Sequence, residues 1–168
     1  MSHPAPDTPL YPLLGIARHR IGIDGNGVTT LVAGAGCPLH CRFCINQEIL
    51  RNKSGSMITP QGLFERVQID DLYFRATGGG VTFGGGESLL HAAFIRDFRS
   101  LCPSDWKIRA ETSLAVPKEN VRIAAAAVDE FIVDCKDPDP VAGNDGSIDD
   151  GGGIVLCINS VKHRVVNH

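Results

Sequence analysis

The chain has 168 residues, 43% hydrophobic and 21% charged, enough for one domain with a real core and ordinary for a soluble protein. A net charge of -3 excludes a broad basic surface for nucleic acid, and no stretch reaches the roughly 18 uninterrupted apolar residues of a membrane span. Met1 to Pro12 is proline-rich and lacks an apolar h-region, so no signal peptide is expected and the expected compartment is the cytoplasm.

Residues 1–20 read as an irregular lead-in, and residues 21–168 as one domain without internal repeats. Asp24-Gly25-Asn26-Gly27 is a strong turn signal that joins a short hairpin to a first strand, Val28 to Ala33. Gly34-Ala35-Gly36 ends that strand and opens a cysteine loop. Thr59-Pro60 starts a helix, with Thr59 as N-cap and Leu63, Phe64 and Val67 on its apolar face. A short strand lies between the glycine runs 78–80 and 84–86, and a helix follows with Leu90, Phe94, Phe98 and Leu101 at helical spacing. Trp106 to Ala110 predicts a third strand running into Glu111-Thr112-Ser113, and Pro117 to Val128 an alanine-rich helix. Phe131 to Cys135 predicts a fourth strand with Asp134 and Lys136 at its end. Residues 137–153 read as a flexible loop. Ile154, Ile158, Val161 and Val165 then fit a final helix by spacing, although their β-branched composition also suits a strand.

Strand and helix alternate, so the fold class is α/β: a parallel sheet with helices packed outside it, open or curled into a barrel. Sites in such folds lie at the C-terminal ends of the strands. The cysteine loop, Gly84 to Glu87, Glu111-Thr112 and Asp134 all fall there, so four segments converge on one rim.

Cys37, Cys41 and Cys44 place three thiols within eight residues, while Cys102, Cys135 and Cys157 are scattered singly. Without an export signal, this favours a metal or cluster site over a disulfide framework. Three cysteines can ligate three irons of a cube and leave the fourth open. A zinc knuckle completed by His40 is the alternative, but His40 adjoins Cys41 and no second pair stands at finger spacing. A redox-active thiol group is the other. Phe43 either packs under the loop or stacks on a purine held beside it. Gly84-Gly85-Gly86 lets a ligand lie against backbone amides, and Glu87 either faces a cation or complements a helix start. Neither a lysine-bearing phosphate loop nor GxGxxG is present. Asp134 and Lys136 alternate along a strand and share a face, where they pair with each other or bind a polar ligand.

Taken together, Gly36 to Asn46, with Cys37-x3-Cys41-x2-Cys44 and an aromatic before the last cysteine, and Gly78 to Glu87 resemble the radical S-adenosylmethionine (SAM) superfamily. Within it, they are similar to the glycyl-radical-enzyme activating enzymes, in matching order from about Ile21 to Asp137. The resemblance implies one [4Fe-4S] cluster on Cys37, Cys41 and Cys44, with SAM on the open iron. It matches Gly85, Gly86 and Glu87 to the motif that receives the methionyl amine. Asp134 and Lys136 match a strand-four motif that helps hold SAM, and Thr112 a position near the cofactor. It also implies a partial (β/α)6 TIM-like barrel, reductive cleavage of SAM to a 5′-deoxyadenosyl radical, a glycyl radical enzyme as protein substrate, and a flavodoxin or ferredoxin-type electron donor. Ser88 stands where the family commonly has proline, and about four strand–helix units are present, so a truncated barrel is expected. Another radical SAM activity on a small molecule or peptide, and a non-catalytic cluster domain, are the competing readings.

Overall fold

The computed structural model describes residues 8–41, 44–47, 55–134 and, for its backbone, 159–162. Asp24-Gly25-Asn26-Gly27 reverses the chain as its composition dictates, and β1 (Tyr11–Ile21) and β2 (Val28–Gly34) pair antiparallel on either side of it. The expected irregular lead-in thus gives way to a strand from Tyr11 onward. Tyr11 and Leu13 alternate inward and are buried, a strand pattern hidden by Pro9 and Pro12. Pro12 has no amide to give, but its carbonyl accepts from the Ala35 N–H at 2.9 Å. A short strand, β3 (Ser56–Ile58), flanks β1 antiparallel.

From β2 onward the sheet is parallel, as the alternation of elements requires. β2 pairs with β4 (Gly80–Gly85), β4 with β5 (Lys107–Thr112) and β5 with β6 (Glu130–Val133). The helices are α1 (Pro60–Val67), α2 (Asp71–Thr77), α3 (Ala92–Leu101) and α4 (Lys118–Ala125). Thr59 caps α1 as expected, its hydroxyl accepting from Gly62 N at 3.1 Å with Pro60 in the first turn.

The sheet order is β3-β1-β2-β4-β5-β6-β7, where β7 (Asn159–Lys162) runs antiparallel to β6. This corrects the expected terminal helix over those residues. Val161 is β-branched and favours extended backbone, and pairing with β6 satisfies an edge that would otherwise carry free N–H and C=O groups; Ile154, Ile158 and Val165 lie outside the described residues. The 137–153 segment lies outside the described residues. Among the described residues no helix is long and apolar enough to cross a membrane.

The sheet has two unlike faces. Val32, Val81, Phe83, Ile108, Ala110 and Phe131 point to the helices and bury against Leu63, Val67, Phe74, Phe94 and Phe98. Phe83 meets Phe98 edge to face at 5.4 Å and Phe94 at 6.3 Å. Emptying that centre by Phe83→Ala would cost about 3–5 kcal/mol. The other face is polar. Thr82, Arg109 and Glu130 stand in register across β4, β5 and β6, and Arg109 Nε pairs with the Glu130 carboxylate at 2.6 Å. The 24–27 turn folds under this face: the Thr82 hydroxyl donates to the Asp24 carbonyl at 3.0 Å. Charge is therefore concentrated on this side of the sheet.

Candidate functional site

The cysteine loop leaves the sheet directly from the end of β2. Cys37, Cys41 and Cys44 are unpaired thiols, each partly buried. The loop turns tightly, with Cys44 N donating to the Cys41 carbonyl at 3.1 Å and Gln47 N to the Cys44 carbonyl at 3.4 Å. The Cys37 thiol is pushed up, first by burial; a backbone hydrogen bond at Leu39 opposes this, and the charges of Glu87, Cys41 and Cys44 add to the rise. The three sulfurs thus lie within electrostatic reach of one another and of Glu87. Their donor set suits an iron–sulfur core, since thiolates are what such clusters bind and clustered negative charge is what a cationic core relieves. Among the described residues no three Cys, His, Asp or Glu side chains, the three thiols included, are gathered as a metal site, and His40 is exposed. Phe43 and Lys136 lie outside the described residues.

The glycine run meets this loop backbone to backbone. Gly86 N donates to the Gly34 carbonyl at 2.9 Å, and Glu87 N to the Gly36 carbonyl at 2.8 Å. Gly85 has φ +92°, a conformation L side chains rarely adopt, and a Cβ on Gly86 would overlap the Gly36 carbonyl. Asn46, two residues past the last cysteine, donates its side-chain amide to the Gly85 carbonyl at 3.1 Å. Loop and glycine shelf are thereby held at both ends.

Glu87 is 2% exposed and its carboxylate is fully occupied. One oxygen accepts from Leu89 N at 3.2 Å and the Thr112 hydroxyl at 2.6 Å. The other accepts from Ser113 N at 2.9 Å and the Ser113 hydroxyl at 2.7 Å. Glu87 therefore caps the 3-10 turn Ser88–His91, and it joins the end of β4 to the end of β5. Ser88 adds a second link, its hydroxyl donating to the Glu111 carbonyl at 2.7 Å. The Thr112 hydroxyl also accepts from Leu114 N at 2.9 Å, and the Thr112 carbonyl accepts from Asp134 N at 2.9 Å.

Four of the expected segments thus meet on one rim. The structure adds three residues the sequence reading quoted but did not single out: Asn46, Ser113 and Glu111. Glu111 lies on the polar face, opposite to Thr112 along β5, with its carboxylate over Gly84 where a Cβ would otherwise stand. Its carboxyl is raised to about 7, first by burial and then by the charge of Asp24, with Arg20 opposing and Asp134 adding to the rise. Arg20 is itself engaged by both oxygens of Asp24. Glu111 and Asp134 thus lie within electrostatic reach of each other at the C-terminal ends of β5 and β6. The signal that finds Glu111 is strand parity: residues 109 and 111 share the face that Asp134 reaches by alternation from β6.

The rim thus sets a three-cysteine loop next to a glycine shelf at the strand ends of a largely parallel α/β sheet. The family model described as "4Fe-4S single cluster domain" matches residues 23–135, and the chain belongs to that family. Curated relatives include the pyruvate formate-lyase-activating enzyme of Clostridium pasteurianum, 39% identical over 80 residues, which are 48% of this chain and 34% of that protein. The pyruvate formate-lyase 1-activating enzyme of Escherichia coli K12 is 32% identical over 83 residues, 49% of this chain and 34% of its own. The Listeria monocytogenes pyruvate formate-lyase-activating enzyme is 36% identical over 80 residues, 48% and 32% respectively. Each match spans about a third of the relative's length. The resemblance to glycyl-radical-enzyme activating enzymes holds, and the cofactors that go with it are a [4Fe-4S] cluster and SAM.

Proposed function

We propose that this chain is a radical SAM protein that cleaves SAM reductively, and that its target is a glycine Cα–H of a glycyl radical enzyme. The observation that carries the reading is the backbone junction of Gly86 with Gly34 and Glu87 with Gly36, which sets the glycine shelf beside the start of the cysteine loop. When bound, cluster and SAM together supply the hard chemistry, one electron to the sulfonium and a 5′-deoxyadenosyl radical.

The chain's own residues orient and shield. Cys37, Cys41 and Cys44 hold three irons and leave the fourth to SAM. Gly85 and Gly86 offer backbone groups without a Cβ in the way. Glu111 presents a carboxylate to an ammonium, and Asp134 helps hold SAM in line with the family resemblance; burial is the main cause of the raised Glu111. Lys136 helps hold SAM, and Phe43 stacks beside the cluster, in line with the family resemblance. The parallel strands β2, β4, β5 and β6 are the part of a partial (β/α)6 barrel that the described residues supply, with β7 on the β6 edge. Cytoplasmic residence and a flavodoxin or ferredoxin-type donor complete the proposal.

Anaerobically reconstituted protein given SAM and dithionite is expected to release 5′-deoxyadenosine and methionine, and Cys41→Ala to release neither. Stable cluster without cleavage in the parent protein would leave a cluster-binding domain only. Co-expression with a candidate glycyl radical enzyme, read by electron paramagnetic resonance for a glycyl signal, tests the target.

A further inference from the structure

We propose that the Glu87 side chain is a positioning residue and not a ligand contact: it is a saturated four-fold acceptor that locks the exit of β5 to the exit of β4 beside the cysteine loop.

A carboxylate has about four lone-pair sites. Glu87 spends all four on Leu89 N, the Thr112 hydroxyl, Ser113 N and the Ser113 hydroxyl. Nothing is left over for a ligand ammonium, and at 2% exposure no ligand reaches it from the mouth. The geometry also explains why the residue is an acid. Each oxygen faces one backbone N–H, that of Leu89 or that of Ser113. Glutamine would set its own NH2 against one of those donors in either orientation, so only an acceptor at both positions fits. Aspartate is one methylene short of spanning both.

The residue links three strand ends. Its amide holds the Gly36 carbonyl, adjacent to Cys37. Its carboxylate holds Thr112 and Ser113, adjacent to Glu111. Leu114, the next residue, sits at φ +61°, a strained conformation that persists only where its neighbours are fixed. Glu87 thus sets the distance between the thiols and Glu111 without touching what lies between them. This assignment deepens the SAM reading and rests on it for its functional consequence, whereas the clamp itself is a property of the protein alone.

The test uses Glu87→Gln in two arms. In protein without cluster or SAM, amide hydrogen exchange at Leu89, Ser113 and Leu114 is expected to accelerate on the order of tenfold or more, while α1 is unchanged. Unchanged exchange at those amides would overturn the clamp. In reconstituted protein, iron and sulfide content is expected to hold, while SAM and 5′-methylthioadenosine, which lacks the amine and carboxylate, both bind more weakly by a similar factor. Selective loss of SAM with methylthioadenosine unaffected would overturn the proposal and make Glu87 a direct amine contact. Should Glu87→Gln fail to fold, Ser113→Ala and Thr112→Val remove single donors with Glu87 intact. Weakened binding of both ligands by them supports the clamp, and no effect of either variant opposes it. If the parent protein binds no SAM, the SAM reading fails while the exchange arm still decides the clamp.

Discussion

The amide of Glu87 donates to the carbonyl of Gly36 across 2.8 Å, one residue before Cys37. That bond makes the end of β4 and the start of the cysteine loop one rigid corner. Substitutions at the corner should therefore be read in cluster loading as well as in stability.

Gly86→Ala places a methyl group on the Gly36 carbonyl, a backbone atom that cannot swing aside. We expect a loss of about 2–4 kcal/mol in urea denaturation, together with sharply lower iron and sulfide content. Gly78→Ala is the control. Gly78 ends α2 at φ +66° with open space around it, so the cost should be only about 1 kcal/mol and cluster loading should be normal. Equal effects on loading would show that the corner does not govern the cysteine loop.

Asn46→Ala removes the side-chain bond from the cysteine loop to the Gly85 carbonyl. The bond is partly exposed, so stability should fall by about 1 kcal/mol. Air should bleach the reconstituted cluster faster than in the parent. An unchanged bleaching rate would mean that the loop is held by its other contacts.

Glu111 supplies a pH dependence with a definite sign. Burial lifts its carboxyl from 4.5 to about 7 in the folded chain. Between those values the native state binds more protons than the unfolded state, so stability declines as pH rises through that window and stays lower above it. Glu111→Gln removes the penalty. Against the parent, it should be stabilised at pH 8 by up to about 3 kcal/mol and scarcely at pH 4. In reconstituted protein the carboxylate form is the one that meets an ammonium, so parent SAM affinity should rise through about pH 7 and the variant's should not.

The polar face of the sheet predicts an asymmetry between two partners. Arg109 is 1% exposed and pairs with Glu130 at 2.6 Å. Its Nη1 is buried without a hydrogen-bond partner among the described residues. Glu130→Ala strands a buried guanidinium and should cost about 3–5 kcal/mol, whereas Arg109→Met fills the same volume with an apolar chain and should cost less. Thermal denaturation orders the two, and the reverse order would mean that Glu130 is dispensable to Arg109.

Much of this was legible in residues. Thr59-Pro60, the phenylalanines of α3 and the glycine runs carry local signals, because caps, helical spacing and glycine's backbone freedom act within a few positions. The converging rim followed from topology, since parallel strands put all their C-terminal ends on one side. What escaped notice depends on long-range pairing. β1 was masked by its prolines until pairing on both sides made a strand of it, and β7 shows edge pairing overriding helical spacing. Glu87 and Glu111 show the same limit within the site. Both are acids at strand ends, and only the fold reveals that one is enclosed by four donors while the other has its carboxyl raised, first by burial.

The open iron is best tested by electron paramagnetic resonance of the dithionite-reduced, reconstituted protein with and without SAM. The signal of a three-cysteine [4Fe-4S] cluster is expected to change saturably as SAM is added, and Cys37→Ala, Cys41→Ala and Cys44→Ala are each expected to lose the cluster. A cluster signal indifferent to SAM, or one that survives loss of any of these cysteines, would overturn the assignment of the site.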